Sequence, residues 1–60
     1  RISSEKAKSV ALSVADGTIT DFEFDDEDLE YVVEIEVEEL EYEITIDART
    51  GKVIEVEIND

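Results

Sequence analysis

The sequence predicts an α+β domain of two layers, in which one N-terminal helix packs on a four-stranded antiparallel meander sheet. Three observations predict it. Apolar residues recur at helical spacing before Gly17, they recur at every second position after it, and the second pattern is interrupted by three short polar segments that read as turns. At 60 residues the chain forms one domain, residues 1–60, with a core one layer deep. Because it begins at Arg1 without an initiator methionine, it reads as a module excised from a longer protein.

The helical segment is SSEKAKSVALSVADG, with Ala7, Val10, Ala11, Val14 and Ala15 on one face. Ser3 is placed to cap its first turn through the side-chain oxygen. Glu5 lies against the positive end of the helix dipole, and Ile2 is positioned to staple onto Ala7. Gly17 is expected to close the helix in a left-handed conformation. Ser9, Val10 and Val14 are mediocre helix formers, so the helix depends on tertiary contacts.

Four strands follow, at about residues 18–25, 30–38, 41–47 and 53–58. A pairing is acceptable only when apolar side chains of neighbouring strands share a face. Phe22 and Phe24 pair in parity with Val33 and Tyr31, whereas Ile19 is out of phase, which requires a bulge near Thr20 or a place for Ile19 at the helix end. Across the turn at Glu39 and Leu40, parity sets Val37 opposite Tyr42 and Ile35 opposite Ile44. The last connection, DARTGKV, needs an odd offset, with Ile46 opposite Ile54, Ile44 opposite Val56 and Tyr42 opposite Ile58. Asp47, Thr50 and Gly51 supply that turn, with Gly51 at a left-handed bulge position. Tyr31 and Tyr42 are expected at the core edge with hydroxyls reaching water.

The sheet then has an apolar face toward the helix and a second face bearing Asp21, Glu23, Asp25, Glu34, Glu36, Glu38, Glu41, Glu43, Asp47, Glu55 and Glu57, with Val32, Thr45 and Val53 between them. Nineteen acids against five bases give a net charge of −14, which repels nucleic acid and anionic lipid and favours cations or basic protein surfaces. No apolar run is long enough for direct membrane insertion. An apolar content of 42% in strict periods separates the chain from disordered acidic tails.

Catalysis finds no support in the residue types. The chain has no Cys and no His, so it lacks a nucleophile and base pair and a typical zinc ligand set, and no Gly-rich loop holds phosphate. Catalytic residues, cofactor-binding residues and metal ligands are therefore expected to be none, and the acid-rich DFEFDDEDLE lacks the central Gly and the correctly spaced terminal Glu of an EF-hand loop. The candidate partner-docking surface is the acidic face, above all Glu34, Glu36, Glu41, Glu43, Glu55 and Glu57. An uncovered, solvated sheet face is the plainer reading of the same residues.

The segments ISSEKAKSVALSVADGTIT, YVVEIEV and YEITIDARTGKVIEVE together resemble a PepSY domain over nearly the whole chain. The most specific part is YEITIDARTGKV, where Tyr42, Asp47, Ala48, Thr50, Gly51, Lys52 and Val53 match the family's strand and Asp-Ala-x-Thr-Gly-Lys-Val turn. The resemblance implies a helix on an antiparallel sheet, no catalytic residues and a place outside the cytoplasm, in the secreted or cell-envelope fraction. PepSY domains occur in propeptides of thermolysin-type metallopeptidases and in bacterial envelope proteins. The expected function is thus a non-catalytic extracytoplasmic interaction module that regulates or inhibits a peptidase or docks on another envelope protein. Its partner would be a protein, either a peptidase or a flanking domain of the same chain. The alternative is a structural or cation-tuned acidic envelope module with weak divalent cation binding and no peptidase partner. The strand 2 to strand 3 connection, EEL, departs from the family's Gly-containing turn.

Overall fold

The computed structural model describes residues 1–60. Helix α1 (Ser4–Val14) is followed by strands β1 (Thr18–Asp25), β2 (Glu30–Val37), β3 (Leu40–Asp47) and β4 (Val53–Asn59). The strands form one antiparallel sheet in the order β1-β2-β3-β4. This is the predicted helix on a four-stranded meander.

The helix begins as its sequence requires. The Ser3 side-chain oxygen accepts the Lys6 N–H at 3.1 Å, and Glu5 occupies the first turn. Its sheet-facing line is Ala7, Ala11 and Ala15, which are buried or nearly so, with Val10 half-buried beside them. Val14, expected on the same face, is 40% exposed. Alanine carries too little side chain to hold the helix away from the sheet. The helix therefore lies close on β2 and β3, where Tyr31, Val33, Ile35, Ile44 and Ile46 complete the core. Full burial of each of the large aliphatics contributes about 1.5–3 kcal/mol.

Gly17 does not close the helix in a left-handed conformation, since Gly51 is the only glycine with positive φ. The helix ends at Ala15 in extended geometry, with the Ala15 N–H donating to the Ala11 carbonyl. Gly17 is required for space: a Cβ there would collide with the Glu36 carbonyl oxygen and lie 2.7 Å from Val37 Cγ2. The close approach of backbone to backbone is what excludes a side chain.

Tyr31 is a core residue and not an edge aromatic, being 2% exposed. Its hydroxyl is kept from water but satisfied, because it donates to the Ile2 carbonyl at 2.8 Å. The Ile2 N–H in turn donates to the Ala48 carbonyl at 2.7 Å, and the Ala48 N–H to the Leu29 carbonyl at 2.9 Å. This chain of bonds fastens the entry to α1, the β1–β2 loop and the β3–β4 turn together at one end of the sheet.

Three register details correct or resolve the parity argument. Phe22 pairs with Val33 and Phe24 with Tyr31, and a bulge between Ile19 and Asp21 returns Ile19 to phase, so that it faces Ile35 and packs on the core. Between β2 and β3 the parity is right but the register is displaced by two residues. Val37 faces Leu40, Ile35 faces Tyr42 and Val33 faces Ile44, because the turn consists of Glu38 and Glu39 alone. Between β3 and β4, Tyr42 faces Ile58 and Ile44 faces Val56 as expected, but Ile46 faces Val53 and not Ile54. An irregularity there leaves Ile54 unpaired and turns Val53 onto the core rather than the acidic face. In the preceding turn Gly51 has φ 82, its N–H donates to the Asp47 carbonyl, and the Asp47 N–H donates to the Lys52 carbonyl. Gly51 and Lys52 together oppose Asp47, which is the left-handed bulge expected of this loop. Asp47 Oδ1 accepts the Arg49 N–H and Thr50 Oγ1 accepts the Lys52 N–H, so all three turn residues act locally.

The helix does not reach β4. Ile54, Val56 and Ile58, expected in the core layer, are 52%, 40% and 54% exposed.

Substitutions at two positions test this geometry by chemical denaturation. Gly17→Ala, although Gly17 does not hold a positive φ, is expected to destabilise the fold by about 1–3 kcal/mol through overpacking. Glu38 holds φ 56 in a turn that favours Gly or Asn. Glu38→Asn is expected to be more stable than the charge-matched Glu38→Gln by about 0.5–1 kcal/mol; equal stabilities would remove the strain argument.

Candidate acidic interface

The far side of the sheet is built by the same alternation that builds the core. Every residue between two helix-facing neighbours on β2 and β3 points away from the helix, and in this chain most of those residues are glutamate. The register decides how they meet. Asp21 faces Glu34, Glu34 faces Glu43, and Glu43 faces Glu57, so one row of four carboxylates crosses all four strands. The adjacent rows carry two acids each: Glu23, Val32, Thr45 and Glu55 form one, charged only at its ends, and Thr18, Glu36, Glu41 and Asn59 form the other, charged only at its centre.

The six residues singled out from sequence therefore divide into three groups. Glu34, Glu43 and Glu57 belong to the continuous row, Glu36 and Glu41 form a facing pair next to it, and Glu55 stands at the β4 edge opposite Thr45. A register with Val37 opposite Tyr42 would set Glu36 against Glu43; the observed register sets Glu36 against Glu41. Glu38, placed on this face by parity, lies in the turn. Asp21, which completes the row, was not among the six. The pairing of Phe22 with Val33 places Asp21 opposite Glu34, and recognition that Glu38 and Glu39 form a complete two-residue turn would have joined that pair to Glu43.

Like charges opposite one another in a ladder are unfavourable. The row's two central members carry the consequence. Partial desolvation among its neighbours raises the pKa of Glu34, and repulsion from Glu41, Asp21 and Glu23 adds to the shift. The facing Glu57 carboxyl, which a protonated Glu43 can hydrogen-bond, raises the Glu43 pKa, and desolvation and the charges of Glu57, Glu34 and Glu55 act in the same direction. No basic side chain forms an ion pair on this row. The one salt bridge of the chain joins Arg49 to Asp47 at 3.8 Å, within the β3–β4 turn.

A second group of acids lies at the end of the sheet. Carboxylate oxygens of Asp25, Asp28 and Glu30 lie within 4.8 Å of one another. Asp25 Oδ1 there accepts the N–H groups of Glu27 and Asp28 at 3.0 and 3.3 Å, which shapes the loop. The surface contains no pocket, and no helix is long and apolar enough to cross a membrane. What the acidic face presents is an open plane of negative charge, suited to contact with a broad cationic surface and not to enclosure of a small molecule.

Comparison with known proteins agrees with this architecture. A family model, PepSY, described as the peptidase propeptide and YPEB domain, matches residues 1–57. An uncharacterised protein of Bacillus subtilis (strain 168), YkoJ, is 36% identical over 62 residues, covering 98% of this chain and 36% of that protein. The chain thus spans about a third of that relative's length. No solved structure matches it.

The raised pKa values have a definite sign in stability. A carboxyl whose folded pKa lies above its unfolded value binds more protons in the folded state, so stability falls as pH rises through that interval. At low ionic strength the melting temperature is expected to decline as pH increases from about 4.3 upward, until Glu34 and Glu43 are fully ionised. The decline should shrink in Glu43→Gln, and a melting temperature that climbs through the interval would contradict it.

Proposed function

Since the chain belongs to the PepSY family, we propose that it is a non-catalytic, propeptide-like interaction module that acts outside the cytoplasm by docking on a peptidase or another envelope protein. The observation that carries this reading is the uncovered row Asp21, Glu34, Glu43 and Glu57. Four unpaired acids in direct opposition work against the isolated fold, and a basic partner surface would relieve that repulsion on contact. Affinity of this origin is sensitive to salt, because exposed charges are screened over about 10 Å at 0.1 M ionic strength.

The test is inhibition of a thermolysin-type metallopeptidase by the added 60-residue chain. Inhibition is expected at low salt, weaker by about tenfold at high salt, and largely lost in the triple variant Glu34→Gln/Glu43→Gln/Glu57→Gln, which should itself be more stable than the parent. Undiminished inhibition by the triple variant would remove the acidic face from the reading, and no inhibition of any such enzyme would remove the peptidase.

A second reading, a cation-tuned structural module, is favoured by the convergence of Asp25, Asp28 and Glu30. It predicts a rise in melting temperature with millimolar calcium greater than that produced by sodium chloride of equal ionic strength; identical curves dismiss it.

A further inference from the structure

The sheet has two free edges, and they are not equivalent. Along β1 the helix-side aromatics are covered: the Arg1 guanidinium lies 3.9 Å from the Phe24 ring centroid and the Lys8 ammonium 5.0 Å from that of Phe22. The bulge between Ile19 and Asp21 further interrupts this edge. Both features are ways in which proteins discourage strand addition.

Along β4 neither feature protects the stretch from Glu55 to Asn59, which pairs with β3 without interruption. Its helix-side residues Val56 and Ile58 are 40% and 54% exposed. Because Lys8 reaches over β1, the opposite flank of the helix, Val10 and Val14, faces the β4 side. Val14, Val56 and Ile58 thereby leave apolar surface exposed on the helix side of the β4 edge, with half-buried Tyr42 opposite Ile58. On the other face of the same strand stand Glu55 and Glu57, the latter at the end of the acidic row.

We propose that the β4 edge accepts an extended segment of a partner protein as a fifth strand, and that this segment alternates apolar and basic residues. Its apolar side chains pack beside the exposed Val56 and Ile58, and its lysines or arginines fall opposite Glu55 and Glu57. A basic residue opposite Glu57 also offsets the repulsion between Glu57 and Glu43. A second copy of this chain is a poor occupant, because antiparallel pairing of two β4 strands about Val56 sets Glu55 of each copy opposite Glu57 of the other, between molecules of charge −14. The proposal rests on the docking role given above and adds the place and the chemistry of the docking segment.

The probe is a labelled peptide of alternating valine and lysine with blocked ends, titrated into the 60-residue chain by fluorescence anisotropy. The expected result is saturable binding that weakens about tenfold or more in three cases: when the same residues are reordered into separate valine and lysine blocks, when alternate peptide amides are N-methylated on the edge that meets β4, and in Ile58→Glu. Slowed amide exchange of some backbone N–H groups between Glu55 and Asn59 should accompany binding. Ile58 is exposed, so its substitution leaves the core intact. The proposal is overturned by absence of binding, by equal affinity for the reordered peptide, which marks attraction to the acidic face alone, or by concentration-dependent self-association of the chain that Ile58→Glu abolishes. Peptidase inhibition measured in parallel separates the two claims. Inhibition that survives Ile58→Glu leaves the docking role and removes this edge, whereas specific peptide binding without inhibition leaves the edge and removes the peptidase.

Discussion

One helix cannot cover four strands, and most of the architecture follows from that mismatch in width. Strands repeat at about 4.8 Å, so the outer two axes of this sheet are roughly 14 Å apart before side chains are counted, while a helix with its side chains is about 10–12 Å across. The alanine line on α1 narrows it further and draws it down onto the two central strands. Burial is therefore complete for Val33, Ile35, Ile44 and Ile46, intermediate for Phe22 and Phe24, and poor for Val56 and Ile58.

The two sides of the sheet are left uncovered for different reasons. On the helix side, the β1 flank is closed by the cationic side chains of Arg1 and Lys8 lying over aromatic rings, and the β4 flank has no equivalent. On the far side nothing covers the sheet at all. Solvation there depends on glutamates whose mutual repulsion opposes the compact state that the apolar face favours. Crowding and partial desolvation are felt most by Glu34 and Glu43, which sit on the central strands with acids on both sides. The two edges of the acidic row, Asp21 and Glu57, each have open water on one side.

Much of this was legible in the chain itself. The change from helical to alternating period at Gly17, the cap at Ser3, the phase error at Ile19 that the structure resolves as a bulge, and the left-handed Gly51 all rest on local chemistry: a side-chain oxygen near free N–H groups, an interrupted alternation in a strand, a glycine where L-residues are strained. Gly17 was misread because two separate reasons make a glycine necessary. Conformational freedom leaves a trace in the neighbouring sequence, whereas close approach of a distant carbonyl, here that of Glu36, leaves none. Tyr31 was likewise misplaced because its partner, the Ile2 carbonyl, lies 29 residues away.

The sequence by itself determined the elements, their order and, apart from Glu38 and Val53 beside the turns, which side chain belongs to which face, since all three depend on periodicity within a few consecutive residues. It could not determine which acid of β2 meets which acid of β3. Registers that differ by two residues preserve parity equally well, so the row from Asp21 to Glu57 depends on the length of the turn at Glu38 and Glu39 and on the bonds linking Tyr31, Ile2, Ala48 and Leu29. Nor could it tell that β4 would carry apolar residues into solvent. In sequence Ile58 alternates as regularly as Ile44, and only the lateral position of the helix distinguishes them.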